Sequence, residues 1–321
     1  MNFSTPTLVI NKSISLNNLD RMIDVANKNN LVLRPHFKTH QSIEIGNWFK
    51  EKGVTSITVS SISMADFFSS EWDDITIAFP LNILEIDKLN LLIKGNKVKL
   101  LIDSISSLKI LDGQLEGSVE VYLKMDVGYN RAGLKVDEKQ KIKSIIEFCK
   151  TSKKIIFLGF LAHFGDSYKS KNRNEIKNVF QKSIERIKIL SDCFPNYQIS
   201  IGDTPTCSTI EKYPNFVNEI RPGNFIFYDL AQYKIGSCSI TDIAIRMICP
   251  IVSIYEDREE VLIYGGSVHF SKDSLSDNEN DIFGYVYSGE TWTVSNKIGY
   301  IKSLSQEHGI VKLEKKVELK I

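Results

Sequence analysis

The sequence predicts a (β/α)8 barrel followed by a second, all-β domain, and three observations carry that expectation. Short apolar runs at 32–34, 56–60, 75–79, 98–102, 119–125, 155–162, 198–201 and 216–220 alternate with helical patterns, and parallel strands require such crossover helices to return. From Ile240 onward the helical periodicity fades and β-rich runs replace it. The 321 residues exceed one typical domain and leave ample chain for a core.

Taken in order, the chain opens with a strand over 5–10 that the barrel does not need and that is free to pair with the β domain. A helix is expected to begin near Ser15 or Asn17, because Leu16, Leu19, Met22, Ile23 and Ala26 fall at helical spacing; Asn29 and Asn30 mark its stop. Crossover helices are expected over 42–51, 83–93, 137–151 and 173–193. The barrel is placed at 12–238, with 1–11 and 239–321 forming the β domain. In that domain strands are expected at 243–255, 261–264, 283–287, 291–294 and 309–313, broken by Gly265-Gly266 and the polar stretch 271–281.

Forty basic against 39 acidic residues leave a net charge of +1, which gives no sign of nucleic acid or an anionic membrane as partner. No apolar run approaches the roughly 20 residues that span a bilayer. The first ten residues lack a signal peptide's basic start and long apolar core. A cytoplasmic protein is expected. Cys149, Cys193, Cys207, Cys238 and Cys249 are scattered, without the spacing of a zinc knuckle or a disulfide framework, and most of them read as buried thiols.

Barrels carry their chemistry at the C-terminal ends of the strands. The first strand runs into VLRPHFKTH at 32–40, where Pro35 is expected to end ladder pairing and Lys38 follows among His36, Thr39 and His40. An amine acts as nucleophile or base near neutral pH only when its pKa is lowered, and burial near other cations does that. The same residues also allow an ordinary solvated loop. After the fifth strand comes DVGYNRAG, where two glycines permit a tight turn and Arg131 can reach inward, or else pair with Asp126. His163 ends the sixth strand in HFGDSY. After the seventh lies GDTPT, whose Gly202 amide and threonine hydroxyls could hold a phosphate. The eighth gives EIRPGN, a glycine turn beside Arg221. Each is weak alone, but together they place polar and basic groups at one mouth. A lysine beside a phosphate loop in such a barrel points to pyridoxal phosphate.

These motifs resemble those of the D-serine dehydratase and D-threonine aldolase-like family, whose barrel is of the alanine racemase N-terminal type. RPHFKTH resembles its cofactor-lysine motif, DVGYNRAG its Asp-x-Gly-x-x-Arg-x-Gly turn, and HFGDSY its His-x-Gly-x-Ser-Tyr segment. GDTPT is similar to its phosphate-binding Gly-x-Thr-Pro, EIRPGNFIFYD to its Arg-Pro-Gly segment, and QEHG at 306–309 to its Glu-His-Gly. The resemblance implies a pyridoxal-phosphate enzyme acting on D-amino acids, a lyase of dehydratase or aldolase type. Lys38 would hold the cofactor as a Schiff base and take the Cα proton, with His40 and Arg131 beside it as catalytic groups. Arg131 would face the ring oxygen and Arg221 the ring nitrogen, as in the racemase branch. His163 and Tyr168 would line the pocket, and Gly202, Thr204, Gly223 and Asn224 would meet the phosphate.

The family also implies zinc or another divalent metal, bound by a His-x-Cys or His-x-Asp pair after the last strands. That pair is not found in the 321 residues, and nothing in the spacing of His308 and Cys238 makes them substitutes. Two other readings therefore stand beside the lyase. One is a metal-independent racemase with a tyrosine as second base, for which Tyr264, Tyr285 and Tyr287 lie in the right region; the other is a cofactor-binding relative without turnover. A homodimer and a small amino-acid substrate are the partners the resemblance implies.

Overall fold

The structure, a computed structural model, describes residues 3–277, 280–289 and 292–319. The chain opens with β1 (Thr7–Ile10) and α1 (Lys12–Lys28). The barrel strands follow as β2 (Val32–Leu33), β3 (Ser56–Val59), β4 (Asp74–Pro80), β5 (Lys97–Ile102) and β6 (Val119–Asp126). They continue, past the short β7 (Leu134–Lys135), as β8 (Ile155–Ala162), β9 (Gln198–Ile201) and β10 (Glu219–Ile220). They pair in parallel in the order β2-β10-β9-β8-β6-β5-β4-β3, with β7 on the flank of β6. Between them run α2 (Ile43–Glu51), α3 (Ile62–Ser69), α4 (Ile86–Leu92), α5 (Ile105–Gln114), α6 (Lys139–Thr151), α7 (Arg173–Cys193) and the short α8 (Thr204–Thr209). Alternating strands and helices thus build the expected barrel.

The barrel closes at the strand that carries Lys38. His36 and Thr58 form a parallel bridge, with the Thr58 amide donating to the Pro35 carbonyl at 2.9 Å and the His36 amide to the Pro222 carbonyl at 2.9 Å. Pro35 therefore does not end the pairing as expected. It lacks only the donor; its carbonyl still serves the neighbouring strand.

The first helix starts at Lys12, ahead of the expected Ser15 or Asn17. Its first turn is polar apart from Ile14, too little to extend the apolar period, and the Asn11 side chain caps it by accepting from the Ile14 amide at 3.1 Å. The expected helix over 83–93 is a tight turn at Ile83–Glu85 followed by α4, because the Asn82 side chain accepts from the Leu84 amide at 3.2 Å. Serine caps open the neighbouring crossovers: Ser42 accepts from Ile45, Ser61 from Met64 and Ser104 from Ser107.

By internal packing the chain divides into two compact units. One is Leu16–Ile226 with Ile235–Ser237, and the other is Met1–Ser15, Phe227–Lys234 and Cys238–Ile321. In the second unit β1 pairs antiparallel with β11 (Ile245–Ile248). Five antiparallel strands run in the order β12 (Ile251–Tyr255), β13 (Glu260–Tyr264), β18 (His308–Leu313), β17 (Lys297–Leu304) and β16 (Tyr285–Tyr287), beside a hairpin of β14 (Leu275–Asp277) and β15 (Asn280–Ile282). Val261, Ile263, Ile301 and Val311 form the core. The expected strand 243–255 is two strands, interrupted where Pro250 has no amide to donate. Residues 292–294 are not a strand, and 291 lies outside the described residues. β17 was not anticipated, because lysines interrupt the apolar alternation of KIGYIKSL.

Candidate active site

The loop after β2 is held from behind by aromatic packing. Phe37 is fully buried and meets Phe49, Phe68 and Trp72 at ring-centre distances of 5.0–5.1 Å. Gly46 of α2 lets the helix approach, since a Cβ there would come within 3.1 Å of the Phe37 ring. With Phe37 committed to that cluster, Lys38 is exposed on a single turn of 3-10 helix. Although solvent reaches it, desolvation by surrounding protein, followed by the charge of Arg131, lowers its pKa below the ordinary lysine value.

His40 belongs to the cluster. Its ring lies 4.4 Å from Phe37 and stacks at 5.8 Å on Phe49, and its Nδ1 accepts from the Ser42 amide at 3.1 Å. Burial lowers its pKa to about 4. These contacts pack His40 into the aromatic cluster that shapes the loop. His36 is the histidine that faces the mouth. Its pKa is lowered well below the usual value by burial and then by the charges of Lys38, Arg221 and His163, so it stands there as neutral imidazole.

The turn after β6 is fixed by Asp126, whose side chain accepts from the Gly128 and Asn130 amides at 2.9 and 3.0 Å. That carboxylate is engaged in the turn, and Arg131 lies instead over the Tyr129 ring, 5.3 Å from its centre. Arg131 acts electrostatically on Lys38, Lys124 and His163. His163 Nδ1 bonds the Gly202 carbonyl at 2.8 Å, and burial, with the charges of Arg131 and Lys124, lowers its pKa to about 3.

GDTPT forms the start of α8. Asp203, almost wholly buried, caps it, accepting from the Thr206 amide at 2.7 Å, the Thr206 hydroxyl at 2.6 Å and the Ser167 hydroxyl at 2.8 Å. The Thr204 hydroxyl accepts from the amides of Gly223 and Asn224 at 3.3 and 3.0 Å. The Thr204 amide donates to the Tyr168 hydroxyl at 3.1 Å. Two glycines make room for this convergence. A Cβ on Gly202 would sit 2.6 Å from the Arg221 amide, and one on Gly223 3.0 Å from His36.

Beneath the mouth, Arg221 donates to the Ser200 hydroxyl, and to the Ala162 carbonyl at 2.9 Å. Lys124, Ser167, Ser200, Asp203 and Glu219 belong to this assembly and were not singled out from the sequence. Lys124 carried a signal, as a lone cation within the apolar run VYLKMD. Ser200 and Glu219 have each other as partners across neighbouring strands, and Ser167 meets Asp203 from a separate loop, so none of these pairs shows along one stretch of chain.

The arrangement fits a phosphate-bearing aldehyde such as pyridoxal phosphate. It offers an amine of lowered proton affinity, nearby cations, and amides and hydroxyls converging where a Cβ would intrude. It does not fit a metal. Among the described residues no group of three or more His, Cys, Asp or Glu side chains could hold one.

A parallel barrel with a lysine after its first strand and a Gly-Asp-Thr-Pro cradle after its seventh defines the alanine racemase-like class of barrels. Residues 10–230 match the family described as alanine racemase, N-terminal domain, and residues 244–321 that described as putative serine dehydratase domain. The chain is 31% identical to D-serine dehydratase of Dictyostelium discoideum, over 95% of this chain and 85% of that protein. It is 25% identical to D-threo-3-hydroxyaspartate dehydratase of Delftia sp., over 97% and 84%. The solved structure of the Delftia enzyme superposes with a TM-score of 0.86 at 23% identity, over 98% of this chain and 85% of that one. D-threonine aldolase from Filomicrobium marinum superposes at 0.79 with 17% identity, over 97% and 82%. The chain belongs to the alanine racemase-fold family that includes the D-serine dehydratases.

Proposed function

We propose that this chain is a pyridoxal-phosphate-dependent lyase that dehydrates D-configured β-hydroxy amino acids of the D-serine kind. The observation that carries the reading is the meeting at one barrel mouth of the Lys38 amine and the cradle around Thr204. Membership beside a D-serine dehydratase at 31% identity supports dehydration over racemisation. Pyridoxal phosphate, when bound, supplies an aldehyde for amines and a ring that withdraws electrons from Cα.

The chain's own groups supply the rest. The Thr204 and Tyr168 hydroxyls accept within the cradle and keep their own protons, which they would donate to the phosphate, while Gly223 and Asn224 would shape its edge by holding Thr204 through their amides. Lys38 would bind the aldehyde through Nζ and, once displaced by the substrate's amino group, receive the Cα proton; its lowered pKa keeps more of the amine neutral. Arg131 and Arg221 would place positive charge toward the ring oxygen and ring nitrogen, and His163 would line the wall. The β-hydroxyl, taking up a proton, would leave as water, and hydrolysis of the resulting imine by one water would give a keto acid and ammonia. The same reading makes the protein a cytoplasmic homodimer. It is supported by free thiols at all five cysteines and by the outward apolar Phe79 and Leu84, 58% and 88% exposed.

Solvent-deuterium exchange at Cα with product analysis tests the activity, using D-serine, D-threo-3-hydroxyaspartate, D-threonine and both alanines, with and without added zinc. Exchange with keto-acid release from the first two is expected. Racemised alanine, or glycine from D-threonine as the main product, would replace the dehydratase reading.

A further inference from the structure

Ser200 and Glu219 sit directly opposite each other on neighbouring parallel strands, so their side chains leave on one face, and Arg221, two residues past Glu219, continues that face. The Ser200 hydroxyl donates to Glu219 Oε1 at 2.5 Å and accepts from Arg221 Nη1. A hydroxyl has one proton to give, so with that proton committed to the carboxylate its lone pairs point at the guanidinium. The second Arg221 nitrogen, Nη2, is tied to the Ala162 carbonyl at 2.9 Å. Glu219 is in turn fixed from below, Oε2 accepting from Arg34 Nε at 2.5 Å. All of these side chains are buried, Ser200 completely. A carboxylate against Arg221 itself would form a direct ion pair. Set one hydroxyl away, it dictates the plane of the guanidinium instead.

We propose that Ser200 and Glu219 are positioning residues for Arg221, the serine hydroxyl transmitting the orientation of the Glu219 carboxylate to the guanidinium beside His36. This rests on the reading that the mouth takes pyridoxal phosphate. It adds that the cation under the pocket is aimed from the barrel interior, by groups that never touch the ligand.

The test titrates pyridoxal phosphate into the wild type, Lys38→Ala, Ser200→Ala and Ser200→Thr. It reads affinity, the pH midpoint of the bound cofactor's visible band, and the thermal midpoint. Ser200→Ala removes one oxygen and is expected to keep its thermal midpoint within a few degrees. Its affinity should fall about tenfold, the worth of one hydrogen bond to a charged group, and its pH midpoint should move. Ser200→Thr keeps the hydroxyl and should restore both. A Ser200→Ala protein with wild-type affinity and pH midpoint overturns the proposal, as does a Ser200→Thr protein that behaves like the alanine variant. A wild type with no visible band that Lys38→Ala removes overturns the cofactor reading and this inference together.

Discussion

At the scale of residues, the Lys38 and Lys124 amines have their proton affinities lowered by burial first and then by neighbouring guanidinium charge. Lys38→Ala should abolish the visible absorbance of bound pyridoxal phosphate, checked by the spectrum of the reconstituted protein. Arg131→Ala should weaken cofactor binding, measured by fluorescence titration, since its charge acts on Lys38. Lys124 offers a separate pH test. Burial, then Arg221 and Arg131, lower its pKa from 10.5 to about 7. Between those two values the unfolded chain holds a proton that the folded chain has lost, so stability contributed by this group rises with pH across the window. Lys124→Met should remove a slope of up to about 1.4 kcal/mol per pH unit. Denaturant midpoints of the cofactor-free protein from pH 6 to 10 measure it.

At the scale of elements, the cradle depends on how tightly α8 and the turn after β10 approach each other. Gly202→Ala would drive a Cβ into the Arg221 backbone, which is rigid strand and turn, so its cofactor affinity should drop sharply together with its thermal midpoint. Asp203→Ala removes the cap of α8 and strands the Ser167 hydroxyl, at a cost of about 2 kcal/mol by denaturant unfolding. The strand ends that carry these groups were legible because each couples an apolar run to a short polar motif. Pairing past Pro35 was not, because the bond there uses its carbonyl, which every residue carries and no side chain advertises. β17 was hidden for a related reason: a strand in an antiparallel sheet with one wet face tolerates lysines that blur its alternation.

At the scale of the whole molecule, the barrel interior is stapled by charge. Arg34 of the segment after β2 reaches Glu219 on β10 and Asp74 on β4, the latter through two nitrogens at 2.7 and 3.1 Å, and Lys99 on β5 also contacts Asp74. Breaking a buried network exposes its remaining members as unpaired charges. Arg34→Ala is therefore expected to lower unfolding stability by about 3–5 kcal/mol, measured in denaturant, and to loosen the closure between β2 and β3.

The barrel, the following β domain and the strand ends where polar groups collect were legible along the chain, since they follow from period and from local turn chemistry within one stretch. The sequence also supplied Lys38, Arg131 and the Gly-Asp-Thr-Pro segment as candidates. The different surroundings of the two histidines flanking the lysine emerge only from packing. His36 and His40 have similar sequence surroundings, but Phe49 and Phe68 come from other helices to claim His40. Only the fold, likewise, could join Ser200, Glu219 and Arg34, residues 19 and 185 positions apart in their hydrogen-bonded pairs. The physical reason is that a buried polar group is defined by its partner, and in a barrel the partner lies on the neighbouring strand, a whole helix away along the chain.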